Sequence, residues 1–193
     1  MMSKARFYRS AGFTLIELMT TIAVAAVLMV IAAPSFVSFQ RNSELTSLTN
    51  TLLASINAAR GAAMKEGTFA MVVPKDGSNW SSGWIVFVDK DLDQGFDASK
   101  DEVILEQSAP SSYITVSATG AAAGGSPYIM YNASGYSRLK SGGFGALTFS
   151  IARNDVSSTE AADQTRRIVV AASGRTRSCR PSLDSTCTAS ATN

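Results

Sequence analysis

Histidine is absent from this chain. That removes imidazole as a general base, as the partner of a nucleophilic serine or cysteine, and as a metal ligand. No phosphate-cradling glycine loop with its lysine occurs, and no Ser-x-x-Lys pairing stands out. Close carboxylate pairs occur only in one acidic stretch near position 90. Catalysis is therefore not the expected function. Cysteine is nearly absent too, with Cys179 and Cys187 the whole complement. Charge is missing from a further place. Between Phe13 and Ala33 the only ionisable side chain is Glu17, and the few polar residues there are threonines.

This uncharged run has about the length a helix needs to cross a bilayer, roughly 20 residues. A short basic leader with Lys4, Arg6 and Arg9 precedes it, which predicts that the leader stays in the cytoplasm and the remainder is exported. An ordinary signal peptide would have a shorter apolar core with a small-residue cleavage site after it. Here the core is long and the small residue, Gly12, comes before it. A plain membrane anchor explains the length but not Glu17. A charge at full depth costs about 2.5–3.5 kcal/mol, and less near the interface. Either Glu17 snorkels to the headgroups or it meets a cation in the same low-dielectric layer.

The 193 residues, 46% of them hydrophobic, suffice for an apolar stalk and one modest globular domain. The formal net charge is +2. Without the three basic residues of the leader, 14 basic residues face 15 acidic ones. In an exported domain the two nearby cysteines are expected to form one disulfide, closing a short loop that contributes roughly 2–3 kcal/mol.

Pro34 falls within an apolar pattern that continues past it, which predicts a kink rather than a helix end. Beyond it Leu45, Leu48, Leu52, Ile56, Ala59 and Ala63 recur at helical spacing. Arg41, Asn42, Glu44, Asn50, Asn57 and Arg60 occupy the other face. Gly67 reads as the stop. The spacing predicts one helix from about residue 14 to 66. Seven short strands are predicted after it, at 69–73, 84–88, 103–106, 113–117, 128–131, 147–151 and 167–171, separated by turn-forming clusters. Residues 117–126 and 157–164 read as exposed loops. The expected class is α+β, a long kinked N-terminal helix packed against antiparallel sheets.

The acidic stretch Asp89–Asp97 imitates a calcium loop, but its glycine comes one position late. Lys100 stands where a bidentate glutamate is wanted. A solvated acidic turn is expected there, with no metal and no other cofactor. The C-terminal tail gathers Arg166, Arg167, Arg175, Arg177 and Arg180 against Asp184 alone. If the disulfide holds these guanidiniums in a fixed loop, their planar donor forks suit phosphates, with affinity that falls steeply with salt.

The hexapeptide Gly12-Phe13-Thr14-Leu15-Ile16-Glu17, with its basic leader and apolar run, resembles the class III leader of type IV pilins and type II secretion pseudopilins. The resemblance implies a pilin-like fold and removal of residues 1–12 by a prepilin peptidase. It implies N-methylation of Phe13 and a Glu17 that pairs with a neighbouring subunit's terminal amine. Residues 13–34 would form the membrane or filament-core half of the helix, 35–67 its amphipathic half, and 68–193 a periplasmic β-rich domain.

Gly83–Asp89, the following Glu102-Val103-Ile104-Leu105 and the turn Asn132-Ala133-Ser134-Gly135 resemble the H-type pseudopilins and FimT/FimU minor pilins. Gly174-Arg175-Thr176-Arg177 resembles the element through which FimT-type pilins hold DNA in natural transformation. That resemblance implies double-stranded DNA contacts at Arg175, Arg177 and Arg180. The implied partners are other minor pilins, the major pilin and an inner-membrane assembly platform. The implied function is priming of pilus assembly and a place at or near the tip. A type II secretion pseudopilin is the alternative.

Overall fold

The computed structural model describes residues 12–190, with the side chain of Pro34 excepted. The leader residues Lys4, Arg6 and Arg9 lie outside this range. A single helix, α1, runs over Leu15–Glu66, and Pro34 does not end it. Contacts divide the chain into two units that meet at Arg41/Asn42.

In the first unit, every described side chain from Phe13 to Gln40 is exposed. An 18-residue window of α1 reaches a mean hydropathy of 2.4, apolar enough to cross a membrane. Thr14 and Glu17 begin the helix with a capping box. The Thr14 N–H donates to the Glu17 carboxylate at 2.9 Å, and the Glu17 N–H donates to Thr14 Oγ1 at 3.3 Å. This reciprocal pair satisfies two donors that a helix start leaves without partners. Thr20 and Thr21 donate their hydroxyls to the carbonyls of Glu17 and Leu18, at 3.0 and 2.9 Å. The threonines of the apolar run therefore spend their polarity within the helix, as a lipid or packed-helix environment requires.

The second unit joins the rest of α1 to eight strands. They are β1 (Phe69–Pro74), β2 (Gly83–Asp89), β3 (Glu102–Ser108), β4 (Ile114–Ala118), β5 (Ile129–Tyr131), β6 (Leu147–Arg153), β7 (Thr165–Val170) and β8 (Thr176–Cys179). Two antiparallel sheets result, ordered β3-β2-β1-β5 and β4-β6-β7-β8. All seven predicted strands are present. The eighth, β8, has no apolar alternation to announce it, because it is a polar edge strand paired only with β7.

The predicted helix stripe forms the core. Leu45, Leu48, Leu52, Ile56, Ala59 and Ala63 are all buried, in one cluster with Val72, Trp84, Val86, Tyr131, Phe149, Ile151 and Ile168. Fully burying one large aliphatic or aromatic side chain contributes roughly 1.5–3 kcal/mol. Indole nitrogens in this core have partners. Trp84 Nε1 donates to Ser55 Oγ at 2.9 Å and Trp80 Nε1 to the Ala122 carbonyl at 2.8 Å. That second bond corrects the expected loop at 117–126. Its start belongs to β4, and Ala122 is buried in a short 3-10 turn over Gly120–Ala122.

Several residues on the polar face of α1 hold other elements of the globular unit. Glu44 accepts hydrogen bonds from the hydroxyls of Ser111 and Tyr113. Asn42 accepts from Arg166 at 2.8 Å, and Asn57 from Thr176 at 3.0 Å. The helix stops at Gly67, whose φ of +68° lies in the left-handed region that glycine enters without penalty.

Candidate functional site

The first site is the start of α1. Gly12 and Phe13 are exposed, Phe13 by 82%. Glu17 stands one turn in, held against Thr14 by the capping box and by the Thr14 hydroxyl at 2.7 Å. A cut between Gly12 and Phe13 would create an ammonium beside Thr14 and so within reach of that carboxylate.

The second is the β7–β8 hairpin. The chain turns over Ala171–Arg175, where the Ala171 N–H donates to the Arg175 carbonyl and the Gly174 N–H to the Ala171 carbonyl. Gly174 has φ +79°, and a Cβ there would lie 1.9 Å from the Gly135 carbonyl oxygen. Arg60 of α1 joins the two turns, with Nε 2.9 Å from the Gly135 oxygen and Nη2 3.5 Å from the Ser173 oxygen. The Asn132–Gly135 turn is present as expected, closed by the Gly135 N–H to the Asn132 carbonyl at 2.8 Å.

Beside the hairpin lies a groove of about 570 Å³ lined by Val169, Ser173, Arg175, Thr176, Arg177 and Thr186 among others. Arg175 ends the turn and Thr176 and Arg177 begin β8, with the Thr176 hydroxyl donated to Asn57 of α1. Arg175 is exposed, and no hydrogen bond or ion pair engages its guanidinium among the described residues. Arg177 pairs with Asp184 at 3.2 Å and donates to the Thr186 carbonyl at 3.1 Å. The Asp184 carboxyl is held below its ordinary value, first by the Thr186 hydroxyl, then by the Thr186 N–H and Arg177.

The five tail arginines therefore do not act as one cluster. Arg180 is bound to Asp163, at 3.2 Å to its carboxylate and 3.1 Å to its carbonyl, and does not line the groove. Arg166 donates to Asn42 and to the Asp163 carbonyl, and burial followed by the nearby Arg180 lowers its pKa. Arg167 is committed to the Cys187 carbonyl and to Ser150 Oγ. The expected fixed loop is also corrected. Thr176–Cys179 is a strand, ordered by ladder hydrogen bonds to β7. The Cys179–Cys187 disulfide forms as predicted and closes the segment that follows, whose Asp184 and Thr186 meet Arg177 while Arg175 stands clear of it.

The acidic stretch departs from expectation as well. Asp89 is fully buried rather than solvated. It accepts the N–H groups of Leu92 at 2.8 Å and Gln94 at 3.0 Å, both of them residues with positive φ. Burial raises its pKa above the usual carboxylate range. Asp101 binds the Lys90 and Asp97 N–H groups, and Lys100 bridges Asp91 and Asp97. The carboxylates of Asp89, Asp91 and Asp101 approach one another, but backbone amides and a lysine already occupy them. Ser137 and Lys140 do have the Ser-x-x-Lys spacing. Lys140 instead sits over the Tyr128 ring at 4.8 Å, and Ser137 is buried.

One surface escaped the sequence reading. Residues 136–144 form an exposed hairpin in which Tyr136 and Phe144 pack at 5.5 Å between ring centroids. Basic and aromatic residues interleave there, and the acid-free stretch between Glu106 and Asp155 was the available signal.

Comparison with known proteins agrees with this geometry. A family model described as type II transport protein GspH matches residues 48–174, and a prokaryotic N-terminal methylation motif matches residues 8–33. Among solved structures, the type IV minor pilin FimU of Pseudomonas aeruginosa is 17% identical. The match covers 75% of this chain and 94% of that one, with a TM-score of 0.53. The minor pseudopilin EpsH of the Vibrio cholerae type 2 secretion system is 14% identical, over 72% and 98% of the two chains, with a TM-score of 0.50. At these identities the likeness to the solved structures is one of fold. A search of curated proteins found no match. With the GspH model spanning most of the globular unit and the methylation motif spanning the start of α1, the chain belongs to the GspH family and carries a prokaryotic N-terminal methylation motif.

Proposed function

We propose that this protein is a minor pilin of a type IV pilus, of the FimT/FimU kind, that primes pilus assembly and is incorporated at or near the tip. The observation that carries the reading is the apolar surface of α1. Its described side chains from Leu15 to Phe39 are exposed, while the globular unit buries a complete core of its own. So long an apolar helix must be covered by lipid before assembly and by other helices afterwards. The reading places residues 1–12 as a leader removed between Gly12 and Phe13. Phe13 is then N-methylated, and the rest of the globular domain is held in the periplasm. Glu17 neutralises a neighbour's terminal amine, because a carboxylate in a dry helical bundle is tolerated only when paired.

The test is incorporation. Glu17→Ala is expected to yield a folded, membrane-inserted protein that is missing from sheared pili, measured by immunoblot of pilus and membrane fractions. Wild-type levels of the variant in pili would sink the role assigned to Glu17. Pilus and secretion systems are separated by the same assay in cells lacking one or the other.

A second activity is favoured by the groove. Arg175 is unengaged there among the described residues, and Arg177 is held by the half-buried Asp184 carboxylate and the Thr186 carbonyl, so Arg175 can reach phosphate oxygens freely and Arg177 by exchanging these two contacts. We assign DNA binding to Arg175 and Arg177, with Arg180 in reserve because it must first leave Asp163. In an electrophoretic titration of double-stranded DNA, binding should weaken steeply as salt rises. It should be lost in an Arg175→Gln/Arg177→Gln variant whose thermal melt is unchanged. Unaltered binding by that variant excludes the groove.

A further inference from the structure

Resting on the reading of the groove as a phosphate-binding surface, we propose that the groove and the 136–144 hairpin form one continuous site for single-stranded nucleic acid. The arginines would hold phosphates and the hairpin rings would stack on bases.

Two connections make the surfaces contiguous. The Ser137 N–H donates to the Ala172 carbonyl at 3.2 Å, and Ala172 lines the groove. Tyr136 is thus one residue from a groove wall. On the returning arm, the Gly145 N–H donates to the Ser137 carbonyl at 3.1 Å, and the next residue, Ala146, also lines the groove. Phe144 is two residues from that wall, within about 7 Å along an extended chain.

The rings are presented, not buried. Phe144 is 58% exposed and Tyr136 44%. Their mutual tilt of 58° leaves each with uncovered surface. Arg138 lies over one side of the Phe144 ring, 4.7 Å from its centroid, and donates to the Gly142 carbonyl, so a cation is fixed on the ring and the surface that remains exposed is what a base would meet. Lys140 adds a second cation over Tyr128. No aspartate or glutamate occurs between Glu106 and Asp155, so the hairpin has no acidic residue of its own to repel a phosphate chain.

This combination is what a single strand requires and a duplex does not use. Exposed aromatic faces can stack only on bases that are unstacked from one another, and such stacking is tolerant of sequence. A duplex offers its phosphates to the arginines but hides its base faces. An acidic protein surface would likewise engage the cations and leave the rings idle.

The experiment uses the full processed chain in detergent micelles and fluorescence anisotropy with three labelled probes of equal length. They are an oligothymidine, an abasic strand and a duplex. Oligothymidine is expected to bind at least about five-fold more tightly than the abasic strand, the margin of one stacked base. Phe144→Ala and Tyr136→Ala should each erase most of that margin and leave duplex affinity unchanged. Phe144→Trp, which keeps a ring, should preserve it and separates stacking from damage to the hairpin. Arg175→Gln/Arg177→Gln should weaken all three probes. Equal affinity for thymidine and abasic strands, an intact margin in Phe144→Ala, or preference for the duplex overturns the stacking site while leaving the phosphate groove standing. Failure of the wild-type chain to bind any probe overturns both.

Discussion

Single side chains in this protein do unequal work even where their types are the same. Arg175 and Arg177 face a groove, whereas Arg166, Arg167 and Arg180 are tied to Asn42, Cys187 and Asp163. The tail sequence shows five equivalent cations. The difference comes from partners brought up by the fold, two of them from α1 and the loop before β7. Asp184 sets the availability of Arg177. Its pKa is depressed first by the Thr186 hydroxyl and N–H and then by Arg177, so these contacts together stabilise the tail above the unfolded-state value near 3.8 and are lost as pH falls through the lower folded value. The ion pair should therefore persist unchanged from pH 5 to 8. Carboxyl NMR of Asp184 is expected to show a midpoint below 3.8. A midpoint at or above the ordinary value would show that the Thr186 and Arg177 contacts to Asp184 do not persist in solution.

Among the elements, α1 and the strands were legible and the last strand was not. The apolar stripe from Leu45 to Ala63 announces helix and core together, because 3.6-residue periodicity and burial are the same constraint. Strand β8 has the composition of a loop, since an edge strand exposed to water needs no apolar alternation. Its turn depends on a contact that no local rule predicts, Gly174 against Gly135 under the Arg60 guanidinium. Gly174→Ala should lower thermal stability by about 1–3 kcal/mol, through the positive φ and the overlap with the Gly135 carbonyl. Calorimetry of the variant checks this, and an unchanged melting temperature would mean the two turns do not touch. Such a loss would also show that the glycine of the Gly-Arg-Thr-Arg element has a packing role separate from its arginines.

At the scale of the molecule, each unit has its own logic. The globular unit closes a core from one helix and two sheets, and the first unit exposes an apolar surface that lipid or other helices must cover. The disulfide lies in the globular unit, with Cys187 buried. It ties Cys187 to the end of β8, where the Cys187 carbonyl receives Arg167. Cys179→Ser/Cys187→Ser should cost roughly 2–3 kcal/mol. Limited chymotryptic proteolysis should then clip the chain after the exposed Leu183, while the ladder between β7 and β8 stays intact. Protection equal to wild type would show that the Arg177–Asp184 pair and its neighbours hold the tail unaided.

Sequence alone sufficed for the long helix, the first seven strands, the disulfide and the family. Each is written in periodicity, spacing or a contiguous motif, and local chain physics reads such signals without knowing the fold. Tertiary structure alone decided that Asp89 is buried among backbone amides, that two of five arginines share a groove, and that an aromatic hairpin adjoins it. Those outcomes depend on partners far apart along the chain, and a charged side chain takes its role from whatever packing places within a few ångströms of it.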